Sequence, residues 1–139
     1  MGIVEFLEAR IAEDEAIART AAESDPGDKS HLERGKAGAA WTARNGMVEG
    51  AEEDLWDCEG SRTLQTTPEI AAHMARHDPA RVLAECAAKR AVIALYKPED
   101  LESSDRGAYF YAEGTGDAVK ALAAVYKDHP DYRQEWALG

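Results

Sequence analysis

"TTPEIAAHMARHDPARVLAECAAKRAVIALY", Thr66 to Tyr96, is the stretch on which the fold turns. Its apolar residues recur at helical spacing on both sides of one interruption, Asp78-Pro79. Proline lacks a backbone N–H and disfavours helical geometry in the residue before it, so the run predicts two helices and a joint. The first helix opens on "TTPE", with Thr66 capping in concert with Glu69 and Pro68 tolerated in the first turn. The second, over 79–96, aligns Val82, Leu83, Cys86, Ala87 and Ile93 on one face. Asp78 reads as its cap and Pro79 as its first residue, an arrangement that contributes about 1 kcal/mol. Positions 70, 73, 74 and 77 share one side of the first helix. His73 and His77 are therefore expected beside Ile70 and Met74, facing the core or a crevice at its edge.

Upstream, residues 3–23 predict a helix with Ile3, Val4, Leu7, Ile11 and Ala18 in one apolar stripe. Asp25-Pro26-Gly27 ends it, and 24–38 read as a loop. Asn45-Gly46 is a two-residue hairpin signal between "AAWTAR" and "MVEG", because both positions tolerate positive φ. "LWDC" and "RTLQ" read as further short strands, with Trp41 and Trp56 as anchors. Downstream, 97–107 read as a polar loop, and "AYFYA", 108–112, as an edge strand or packed loop. Asp117 is expected to cap a last helix, 118–127, with Val119, Leu122, Val125 and Tyr126 inward. Trp136 is expected to pin the tail that follows. The expected class is α+β: a single domain in which a small antiparallel meander, about residues 39–65, packs against three or four helices.

Composition narrows the setting. The 139 residues suit one domain, and 45% hydrophobic content marks a folded chain. Cys58 and Cys86 form no C-x-x-C pair and are too few for a disulfide framework. No run of 18 apolar residues spans a membrane, no basic stretch leads into an apolar N-terminal core, and Phe6 stands where a myristoylation signal needs Ser or Thr. A cytoplasmic location is expected. The net charge of −11 repels phosphate backbones, so direct nucleic-acid binding is not expected, and a protein partner with a basic face is. Glu49, Glu52, Glu53, Asp54, Asp57 and Glu59 are six acids with no base among them, and they are the candidate contact residues. The plain alternative is that the charge serves solubility alone.

Catalytic and metal chemistry has fewer candidates. An i, i+4 histidine pair is half of a site for zinc or another borderline metal. His73 and His77 lack the Glu of H-E-x-x-H, because Met74, Ala75 and Arg76 lie between them. No cofactor or metal is favoured on this pattern; zinc is the candidate if one binds. His129 and Asp131 in "DHPDY", and His31, are the other side chains that could join such a site. A histidine in a cleft can also act as an acid or base without metal. In the plain reading both histidines are hydrogen-bonded residues at a helix joint. Nucleotide-loop and nucleophile-elbow motifs are absent. Cys86 reads as a small core residue, and the acids beside Cys58 disfavour its thiolate. Arg76 and Arg81 could hold an anion at the second helix, but Asp78 already occupies its N-terminus.

Three strings, "FLEARIAEDEAIAR", "HMARHDPARVLAECAAKRAVIALY" and "YKDHPDYRQEW", occur in that order. Together they resemble a family of small proteins of high-GC actinobacteria and their phages. The resemblance rests on an acidic first helix, H-x-x-x-H-D-P-A-R and D-H-P-D-Y-x-x-E-W. It covers both ends of the chain. The middle departs from the family pattern: the loop from Asp25 to Gly38 replaces a T-P-G-P-W element, with Trp41 in place of its tryptophan, and 97–115 is longer. The family brings no activity with it. It supports the one-domain α+β expectation and draws attention to His73, His77, Asp78, His129 and Asp131.

Two functions follow as expectations. One is a non-enzymatic acidic binding or regulatory protein, for instance a phage-type inhibitor acting on a basic protein surface. The other is a small metal-binding protein or hydrolase centred on His73 and His77. A homodimer through Trp136 or the first helix is compatible with either.

Overall fold

The computed structural model describes residues 1–23, 39–44, 47–50 and 66–138. It is mostly helical. In chain order the elements are α1 (Ile3–Glu23), β1 (Trp41–Arg44), β2 (Met47–Gly50), α2 (Pro68–Arg76), α3 (Pro79–Ile93) and α4 (Arg106–Ala123). Short 3-10 turns occupy Pro98–Glu102, Ala124–Tyr126 and Gln134–Trp136. The chain divides into two compact units, Asp14–Glu85 and the pair of segments Met1–Glu13 and Cys86–Gly139. Among the described residues, no helix is long and apolar enough to cross a membrane.

In the unit Asp14–Glu85, β1 and β2 pair antiparallel, with Arg44 opposite Met47 and Trp41 opposite Gly50. That register leaves a two-residue connection where the Asn45-Gly46 signal falls, although 45 and 46 themselves lie outside the described residues. Among the described residues the sheet has two strands, so the expected meander is reduced to a hairpin. The loop at 24–38, the strands expected at "LWDC" and "RTLQ", and Trp56 lie outside the described residues. Helix α2 packs on both strands. Val48 and Ala71 are buried there, and Trp41 is half-buried.

The start of α2 differs by one residue from expectation. Thr67, not Thr66, is the cap: its Oγ1 accepts from the Ile70 N–H at 3.4 Å, with Pro68 next in line. The hydroxyl of Thr67, and after it the backbone N–H of Glu69 itself, hold the Glu69 carboxyl below its ordinary range. The joint forms as expected. The backbone turns at His77, and α3 begins at Pro79.

The other unit has its core at Phe6, Leu7, Ile11, Cys86, Ile93, Ala112, Val119, Ala123 and Trp136. Leu7 and Ile11 are from the predicted stripe of α1; Phe6 joins them, and Ile3 and Val4 are half-buried. The segment 108–112 is neither a strand nor a loop. It lies inside α4, which opens at Arg106 because Asp105 Oδ1 accepts the Gly107 N–H at 2.8 Å. The aromatic run has the side chains of a strand, but Ala112 alone is fully buried while Tyr109, Phe110 and Tyr111 are 37%, 55% and 51% exposed. A local cap and helical burial outweigh β propensity here. Asp117 consequently caps nothing; it sits within α4 and pairs with Lys120 at 3.3 Å. Val125, expected inward, is exposed in the 3-10 turn that follows. Gly116 lets Tyr96 lie against α4, since a Cβ there would stand 3.2 Å from the ring edge.

Candidate functional site

The helix joint holds the residues that the sequence singled out, and of the two expected settings, core or crevice, it places the histidines outside the core, along a surface depression. Ala71 is the buried residue of α2, with Met74 and Ala75 half-buried. Ile70, His73 and His77 are exposed, so the histidine stripe faces solvent rather than the core. Helix α2 packs on the hairpin, and a small residue, Ala71, is the one it buries completely. The two imidazoles lean together with ring centroids 4.6 Å apart and planes at 45°. With Glu69, Ala72 and Arg76 they line a depression of about 230 Å³. Among the described residues, no hydrogen bond reaches a ring nitrogen of either histidine, and no group of three or more His, Cys, Asp or Glu side chains could hold a metal ion.

Asp78 is fully engaged in structure. Its Oδ1 accepts the Arg81 N–H at 2.8 Å, which caps α3. Its Oδ2 accepts the Trp41 N–H at 3.1 Å, which ties the first residue of β1 to the joint. Ala80 N–H donates to the Ala39 carbonyl at 2.8 Å beside it. The second of these roles is invisible in the sequence, because the partner is a backbone amide 37 residues away. Arg81 is bound to Glu85 at 2.7 Å, so it is not poised over the helix start for an anion.

The tail motif is built differently. Phe6 lies at the centre of an aromatic cluster: Trp136 at 4.9 Å between centroids, His129 at 5.7 Å, and Tyr126 and Tyr132 both at 6.2 Å. Arg10 stacks over Phe6 at 5.7 Å and Lys89 over Tyr126 at 5.3 Å. Arg10 also donates through Nη1 to His129 Nε2 and pairs through Nη2 with Glu13 at 2.8 Å. The other ring nitrogen, Nδ1, accepts the Asp131 backbone N–H at 3.1 Å, and Asp131 Oδ2 lies 3.9 Å from it. Asp131 itself is largely exposed. Arg90 reaches Glu8 at 3.0 Å in the same unit. Arg10 was not among the sequence candidates; the signal for it was a charged residue in the buried stripe, one turn beyond Phe6.

His129 and Asp131 therefore lie together, but they are not joined to His73 and His77 in any group of potential ligands among the described residues. Cys86 is buried, its Sγ donating to the Ile11 carbonyl at 3.9 Å, which bears out the reading of a small core residue. Of the acidic contact candidates, Glu49 lies on β2, while Glu52, Glu53, Asp54, Asp57 and Glu59, with Cys58 and His31, lie outside the described residues. Trp136 is buried against Phe6 of its own chain, so its indole is not an exposed dimer contact.

No curated protein and no solved structure matches this chain. A protein-family model does match, over residues 1–138, and the chain belongs to that family, a family of unknown function designated DUF6221.

Proposed function

We propose that the chain is a non-enzymatic binding protein whose acidic surface engages a basic face of a protein partner. The observation that carries this reading is the run of six acids without a base from Glu49 to Glu59, in a chain of net charge −11. Such a concentration of negative charge steers a positively charged partner and repels phosphate backbones. A concrete form is an inhibitor of a nucleic-acid-handling protein, with carboxylates standing where phosphates would bind. The exposed Tyr109, Phe110 and Tyr111 on α4 add side chains of the kind enriched at protein interfaces.

A hydrolase centred on His73 and His77 has less support. Its histidines lie exposed on α2, and among the described residues no carboxylate is hydrogen-bonded to either ring. His129 is held by Arg10, and Asp131 points outward.

The test is partner retention on the immobilised full chain, measured against salt and against a Glu52→Gln, Glu53→Gln, Asp54→Asn variant. Retention should fall steeply as ionic strength rises, since exposed charges are screened within about 10 Å at 0.1 M salt. It should fall further in the variant. Salt-insensitive retention, or a variant that binds as well as the parent, would count against the reading.

A further inference from the structure

We infer that His73 and His77 form a two-imidazole chelate for a borderline divalent cation, such as zinc or nickel, on the outer side of α2. The inference goes beyond the binding-protein reading and is independent of it.

Four observations converge. The histidines stand one turn apart, and their ring centroids are 4.6 Å apart, within reach of a single ion. Both are exposed, and among the described residues no hydrogen bond occupies their ring nitrogens, so a metal would displace only water. They lie at the C-terminal end of α2, His73 in the last turn and His77 at the cap, where the helix dipole favours positive charge. Glu69 lines the same depression and brings a carboxylate to it, alongside the guanidinium of Arg76. Imidazole is a ligand for borderline metals and a poor one for magnesium or calcium, which take oxygen.

The site is a surface chelate and not a closed structural centre, because a structural zinc needs four protein ligands and the described residues offer two. The remaining positions go to water or to the same pair from a second copy. Two linked ligands act at a high effective concentration, so removing either imidazole should weaken binding by about 100-fold.

The experiment is a calorimetric titration of the full chain with zinc and nickel, with magnesium as the hard-cation control. The His73→Ala, His77→Ala and double variants are run alongside. Both substituted side chains are exposed, and circular dichroism checks that each variant is folded. The expected result is zinc and nickel binding that drops about 100-fold in each single variant and further in the double variant, with no magnesium binding. Thermal unfolding gives a second readout: nickel should raise the Tm of the parent and leave the double variant unmoved. Native mass spectra with one ion per chain, or one ion in a chain pair that requires both histidines, support the site equally. Unchanged affinity in either single variant, equal magnesium binding, or no zinc or nickel binding overturns it.

Discussion

The molecule carries histidine, aspartate and proline side by side twice, and uses them in opposite ways. At the joint, His77-Asp78-Pro79, the aspartate is the structural residue and the histidine is left to solvent. In the tail, Asp128-His129-Pro130, the histidine is held against Phe6 and Arg10 and the aspartate is exposed. The difference lies in what each segment must satisfy. A helix start has unpaired N–H groups and needs an acceptor, which a carboxylate supplies. An aromatic cluster needs a flat, largely apolar ring with one polar edge, which imidazole supplies. Composition is therefore a poor guide to which residue of such a motif is free to bind something.

The comparison can be broken most directly in the tail. Phe6→Ala should destabilise the fold by about 3–5 kcal/mol, measured by chemical denaturation, because it removes the ring on which four others converge. A loss under about 1 kcal/mol would mean that the cluster is not part of the core. At the joint, Asp78→Ala should cost about 2–3 kcal/mol, the sum of a lost cap and a lost acceptor for the Trp41 N–H. His77→Ala beside it should shift stability by no more than about 0.5 kcal/mol. If the two variants are equal, the division of labour drawn here is wrong.

Two glycines of α4 give a smaller contrast. Gly114→Ala meets nothing within 4 Å and should stabilise the helix by about 1 kcal/mol. Gly116→Ala should gain less or lose outright, since its Cβ would crowd Tyr96 at 3.2 Å. Thermal melts of the pair decide it. The smallest effect concerns Glu69. Its carboxyl is held below the ordinary value of 4.5, so its contribution to stability is present above that pH and is lost as pH falls below it. Thr67→Ala removes the main cause, and an NMR titration should then place the Glu69 midpoint nearer 4.5.

Local signals in the sequence were legible and distant ones were not. Proline at 79, aspartate at 78 and Asn45-Gly46 announce the joint and the hairpin through chemistry that acts within a few residues. The orientation of α2 was misread because Ile70 and Met74 look more apolar than Ala71, whereas close packing on the strands selects the small residue. The start of α4 was missed because Tyr-Phe-Tyr favours strands and the cap, Asp105, lies before it in what reads as loop. Trp136 was legible as a pin, but its socket on Phe6 lies far away in sequence. At the candidate site, the spacing of His73 and His77 was readable and their exposure was not.

One carboxylate at Asp78 holds both the Trp41 and the Arg81 amides. Closing the chain between these points carries an entropic penalty that is met once for two bonds, so the strand entry and the helix start open as one event. Their amide protons should therefore exchange with deuterium at a common rate, and the joint marks a unit of cooperative unfolding rather than a flexible hinge.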